Sequence, residues 1–279
     1  MINNLFLNSE RQLRNGWWVL IFLLVLASML VPVILLAQKN SMDVSIGTQA
    51  IIILLASAAC QLLRRQALTG LLGKFNAAWF KEFATGCLMG SALMLVPALL
   101  LETFGWVNLE WISVDASILA SSLFLFAGVA VAEELLFRGF VFQRLISGLG
   151  VWPAQLLIAA FFLLTHWNNP GMTGSVKVMA SLNIFLASIL FGLAFIRTRN
   201  LAMPLGLHWM ANWMQGGVLG FGVSGTETAG LWTPLFGDAP VWLTGGQFGL
   251  EASFVGLILL VLMIFALYKM NSTKHIPNE

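Results

Sequence analysis

The sequence predicts an all-α fold, a polytopic transmembrane bundle of about eight helices with both termini cytoplasmic. Three observations lead there. The 279 residues are 59% hydrophobic and 9% charged, against roughly a quarter charged in an ordinary soluble domain. A mean hydropathy of +0.88 leaves too little polar surface to cover a water-soluble core. Apolar stretches near the ~20 residues needed for one bilayer crossing recur along the whole chain.

The spans are expected near 16–37, 45–63, 83–103, 117–139, 151–167, 179–196, 201–223 and 250–268, in a single integral membrane domain covering 1–279. The first follows Arg11 and Arg14, is too long for a signal-peptide core and lacks a small-residue cleavage site. It reads as a retained anchor bordered by Trp17 and Trp18. Of the 14 Lys and Arg, twelve lie in alternate inter-span segments counted from the N-terminus. Cations gather on the cytoplasmic side, so the alternation sets the orientation and supports an even number of helices.

Several segments carry plainer meanings. The basic loop 64–82 is expected to serve orientation and lipid contact. The cation-free loop 224–250, with Trp232, Pro234, Pro240 and Trp242 among glycines, reads as an irregular outer loop. Gly216 and Gly220 have the spacing of a helix-packing pair. The sequon Asn271-Ser272-Thr273 falls on the cytoplasmic side of this topology, and His275 reads as a solvated tail residue. Cys60 and Cys87 lack neighbours at ligand spacing and read as small buried hydrophobes. A net charge of +2, with no Lys/Arg cluster large enough to neutralise a row of phosphates, argues against nucleic acid as a partner.

Ionisable groups inside a span cost about 2.5–3.5 kcal/mol each on insertion scales, so each needs a reason. The ones that stand out are Glu133, Glu134 and Arg138 in the fourth span, His166 in the fifth, and His208 with Asn212 in the seventh. Glu134 and Arg138 are one turn apart and can pair along a helix face. Their pairing serves charge compensation, as a topological anchor or as support for a neighbour. Glu133 points elsewhere, because adjacent residues differ by about 100° around a helix. A carboxylate taken out of water holds its proton more tightly, which suits a general base working near neutrality.

His208 and Asn212 share a face, and two donors so placed can converge on one oxygen, as an oxyanion hole requires. Each alone could equally make helix–helix hydrogen bonds. Together with Glu133 and His166 they supply a base, an orienter and an oxyanion site, enough to hydrolyse a peptide bond with water. No Ser or Cys stands beside a base as a nucleophile.

These residues fit a known pattern. Glu133-Glu134-Leu135-Leu136-Phe137-Arg138 fits EExxxR, Phe162-Leu163-Leu164-Thr165-His166 fits FxxxH, and His208-Trp209-Met210-Ala211-Asn212 fits HxxxN. The set resembles the CPBP family of intramembrane proteases, which includes the Rce1-type CaaX prenyl endopeptidases and the bacterial Abi or bacteriocin-immunity proteins. The resemblance covers a catalytic-motif core at 117–223. It implies that Glu133 and His166 activate water, that His208 and Asn212 stabilise the oxyanion, and that Glu134 and Arg138 support the site. It implies no cofactor, a protein or peptide substrate that is lipidated in some members, a membrane-lipid environment, and a prokaryotic plasma membrane as location. Glu133 near the end of its span and His166, about 22 Å along its own, need a tilt, kink or reorientation at 140–155 in order to meet.

Rival readings stay open at this point. A zinc-dependent version of the same protease would use Glu133, His166 and His208 as ligands, although HExxH is missing and Asn212 would lose its role. A non-catalytic immunity factor or membrane binding protein would need none of this chemistry. A transporter is disfavoured, because no internal repeat is visible.

Overall fold

The structure, a computed structural model, describes residues 3–272; Thr273, Lys274 and His275 lie outside them. In chain order its main elements are α1 (Asn15–Lys39), α2 (Ile46–Leu63), α3 (Ala77–Thr103), β1 (Val107–Trp111), α4 (Ala116–Glu134), α5 (Phe140–Leu149), α6 (Val151–His166), α7 (Gly174–Thr198), α8 (Ala202–Asn212), β2 (Trp232–Phe236) and α9 (Phe254–Ser272). A π-turn, Leu135–Gly139, joins α4 to α5, and another, Trp213–Val218, continues α8.

Among the described residues, five helical stretches have the length and composition to cross a membrane: Asn15–Lys39, Ile46–Leu63, Ala77–Thr103, Ala116–Leu149 and Gly174–Thr198. Val151–His166 and Phe254–Met270 are apolar but shorter. Large apolar side chains on these helices stay exposed, among them Leu24, Leu35, Leu88, Phe124 and Leu164. Lipid-facing residues need no protein partner, so such exposure is what a membrane bundle requires. The all-α helical bundle expected from the sequence is therefore the fold.

The differences lie at the ends of elements. The fourth apolar stretch runs past 139 to Leu149, and Gly150, with φ of +86°, turns the chain into α6. The seventh ends as a π-turn, and the last begins at Phe254 after two short 3₁₀ turns. Two inter-helix segments form a small antiparallel sheet in which Val107 pairs with Phe236 and Trp111 with Trp232. Hydropathy could not reveal it, because five-residue strands carry little periodicity and their tryptophans read equally well as interface anchors.

The chain forms two compact units. The first holds, among the described residues, 3–74 and 128–158. Its core stacks Phe22 of α1 on Phe140 of α5 at 5.5 Å, and Cys60 and Phe142 are buried as well. Gly128 lets α4 approach Ile46, whose Cγ2 would stand 3.1 Å from an added Cβ.

The second unit holds, among the described residues, 75–127 and 159–272. Its tightest packing joins α3 to α8. A Cβ on Gly86 would overlap the carbonyl oxygen of Met203, one on Gly90 that of Leu207, and one on Gly206 that of Phe83. Gly86 and Gly90 thus form the small-residue face that lets two backbones touch. Gly216 and Gly220 do not play that part, since Gly220 lies beyond the helix with φ of +72° and packs against the Trp232 carbonyl.

Hydrogen bonds within this unit link segments of like parity in the charge alternation. Asn200 donates to Glu82 at 2.8 Å and Arg197 to the Met270 carbonyl at 3.0 Å. On the other set of segments β1 pairs with β2, and Asn169 donates to the Ser224 carbonyl at 3.1 Å. The alternation read from Lys and Arg matches which loops meet.

Candidate active site

The motif residues divide between the two units. Glu133, Glu134 and Arg138 belong to the first, and His166, His208 and Asn212 to the second. In the first unit, Arg138 Nη1 donates to Glu134 Oε1 at 3.1 Å, with both side chains wholly buried. Glu133 keeps part of its surface accessible and adds to the negative field on Arg138. The backbone explains this division of labour. After Glu134 the helix widens into the π-turn Leu135–Gly139, which carries Arg138. Such bulges insert a residue into the helical register and re-aim the side chains that follow.

In the second unit, α6 ends on His166, whose Nδ1 donates to the Phe162 carbonyl at 2.8 Å with Thr165 Oγ1 3.2 Å away. A carbonyl oxygen has no proton to give, so Nδ1 carries the hydrogen, which leaves Nε2 as the nitrogen whose lone pair the neutral tautomer offers. Phe162 packs on His166 with ring centroids 4.5 Å apart and touches His208 edge-on at 6.5 Å. On its other side His208 stacks on Phe191 of α7 at 4.7 Å, nearly parallel. Phe162, the first residue of FxxxH, is thus the wall shared by both histidines.

His208 and Asn212 are only 4% and 8% exposed, one turn apart on α8. That helix is held by the glycine contacts with α3 and by Trp209 Nε1, which donates to the Leu123 carbonyl at 2.9 Å. Directly after Asn212 the backbone again becomes a π-turn. Both the EExxxR and HxxxN segments therefore meet a π-turn at their motif residues.

One residue of this neighbourhood was not anticipated. Glu251 lies in the 3₁₀ turn before α9, where Oε2 accepts hydrogen bonds from Ser224 N at 2.9 Å and Ser224 Oγ at 2.8 Å. Part of Glu251 stays accessible, yet the protein around it is dense enough for burial to push its carboxyl above the usual range. The Ser224 donors and the imidazoles of His166 and His208 pull it the other way. Asn169, three residues beyond His166, donates to the Ser224 carbonyl at 3.1 Å, which links the end of α6 to the same turn. No motif marks Glu251, because its partners lie 27 residues upstream and not one helical turn away. A carboxylate at the border of an apolar span was the available signal.

Among the described residues no three His, Cys, Asp or Glu side chains gather in a metal-holding arrangement. Cys60 and Cys87 are free thiols, the first buried and the second half-buried.

No curated protein matches the chain. Residues 115–214, which contain every motif residue from Glu133 to Asn212, match the family described as type II CAAX prenyl endopeptidase Rce1-like.

Proposed function

We propose that the protein is an intramembrane endopeptidase that hydrolyses a peptide bond with an activated water and without a metal. Its apolar helices and the family that residues 115–214 match support an integral membrane protein, and that family is one of proteases acting on protein or peptide substrates. The observation that carries the reading is that all three motifs fall inside the one matched segment, 115–214.

In this mechanism Glu133, with the Nε2 lone pair of His166, takes a proton from water as its oxygen attacks the scissile carbonyl carbon. The negative charge that forms on the carbonyl oxygen is stabilised by donors from His208 and Asn212, an effect worth about 10²–10³ in kcat per donor in known oxyanion holes. The proton then passes to the leaving amine as the C–N bond breaks. Glu134 and Arg138 hold the Glu133 segment in place and do no chemistry. Glu251 is a positioning residue: its carboxylate holds the Ser224 turn, to which Asn169 ties the end of α6.

The substrate is a membrane-associated peptide or protein, reached from the cytoplasmic leaflet of a prokaryotic plasma membrane. The test compares membrane-protein termini in cells carrying wild type or Glu133→Gln at equal expression. New termini that disappear with Glu133→Gln identify a protease and its substrates. Identical termini in cells that keep the wild-type phenotype would replace this reading with a non-catalytic immunity or binding role.

A further inference from the structure

Away from the motif residues, the first unit contains a cavity of about 870 Å³ lined by Arg14, Arg64, Arg65 and Arg144, with no Asp or Glu among its lining residues. The four arginines come from three separate places: the start of α1, the end of α2 and the middle of α5. All belong to segments that the charge alternation assigns to the cytoplasmic side, and Trp18 on the same wall marks the level of the interface.

The guanidinium of Arg64 lies 5.7 Å from the Trp18 ring centroid and 6.0 Å from that of Phe140. Arg144 approaches the same Phe140 ring, also at 6.0 Å. Two cations therefore share one aromatic platform. Their hydrogen-bonding partners are neutral amides: Gln61 Oε1 accepts from Arg64 at 3.2 Å and Asn15 Oδ1 from Arg144 at 3.3 Å. Burial alone pulls the Arg64 guanidinium below its ordinary value. Gathering like charges in a partly buried site is unfavourable unless an anion joins them.

We propose that this cavity is a binding site for a phosphate group, supplied by the headgroup of an anionic phospholipid in the cytoplasmic leaflet. Arginine suits the task because its planar fork meets two phosphate oxygens at once. Arg14 and Arg64 flank helix ends that the charge alternation assigns to the cytoplasmic side, and basic pockets on that side are known to hold such headgroups. The neutral amides of Asn15 and Gln66 on the same wall add donors without adding opposing charge. The general lipid contact expected of loop 64–82 thereby becomes one defined pocket, completed by residues far away in sequence.

The full chain, purified in detergent, tests this by thermal unfolding and native mass spectrometry with added phosphatidylglycerol, phosphatidylcholine or inorganic phosphate. Phosphatidylglycerol should raise the melting temperature and remain bound, while phosphatidylcholine should do neither. Arg64→Gln with Arg144→Gln should weaken phosphatidylglycerol binding by about tenfold or more, and Lys39→Gln should leave it unchanged. Arg65→Gln, at an exposed position, gives a milder second variant in which binding also falls if the doubly substituted protein does not fold. Equal effects of phosphatidylglycerol and phosphatidylcholine on the wild type overturn the proposal whatever the variants do. Stabilisation by inorganic phosphate with none by phosphatidylglycerol keeps the phosphate site but overturns its lipid source.

Discussion

Gly90 and Leu207 sit so close that a Cβ on the glycine would overlap the leucine's carbonyl oxygen and stand 2.8 Å from the Ala211 amide nitrogen. This approach fixes α8 against α3, and α8 carries His208 and Asn212. Gly90→Ala must push two backbones apart, because no flexible side chain is present to yield. The expected cost is about 1–3 kcal/mol or more, seen as a lower melting temperature together with loss of turnover. Gly16→Ala, where nothing lies within 4 Å, should leave both unchanged. If Gly90→Ala melts and turns over like wild type, α8 is not held in this way.

Glu134 and Arg138 should separate support from chemistry. Removing one partner of a buried ion pair typically costs about 3–5 kcal/mol, because the other charge is left behind. Arg138→Gln should therefore destabilise the protein strongly, and Glu134→Gln on the same chain should restore part of the loss. Glu133→Gln, at a partly accessible position, should leave the melting temperature close to wild type and abolish cleavage. Unfolding curves and turnover measured on the same preparations check all three. Cleavage that survives Glu133→Gln would remove Glu133 from the mechanism.

Glu251 has a pH signature. Burial raises its carboxyl in the folded chain, so this group's contribution to stability is complete below the ordinary carboxylate value and is lost as pH rises through the raised folded value. Glu251→Gln removes that loss, and its stability should fall less than wild type's over the same interval. Unfolding curves recorded across that interval check it: wild type and Glu251→Gln whose stabilities fall in parallel would show that the buried carboxyl is not the cause.

The sequence made the bundle and its catalytic candidates legible for different physical reasons. Crossing a bilayer takes about 20 apolar residues, a signal that survives reading one residue at a time. Charges inside those stretches stand out because they are expensive, which is how Glu133, Arg138, His166 and His208 become visible. Local helical spacing also gave the Glu134–Arg138 pair, one turn apart, which the structure forms at 3.1 Å. Contacts across long separations had no such signal. Gly86 and Gly90 looked like ordinary small residues, Ser224 and Glu251 meet across 27 positions, and β1 finds β2 across more than a hundred. The π-turns were equally hidden, since the register shift of one inserted residue does not show in a run that is apolar on nearly every side.

The last prediction concerns metal. A zinc protease built on Glu133, His166 and His208 would lose turnover on dialysis against a chelator and regain it when zinc is added back. The water-activating glutamate mechanism predicts unchanged turnover after the same treatment, with zinc well below one ion per chain. Asn212 separates the two readings independently. As an oxyanion donor, its loss in Asn212→Ala should lower kcat by about 10²–10³ with little change in KM, because the interaction strengthens only as charge develops on the carbonyl oxygen. In the zinc reading the metal takes over that charge, and the same substitution should lower kcat far less. The His166 tautomer serves both readings, since a lone pair at Nε2 can accept a proton or bind a metal. The chelation result and the Asn212→Ala kinetics must therefore agree, and turnover lost to chelation with a small Asn212→Ala effect would overturn the metal-free mechanism.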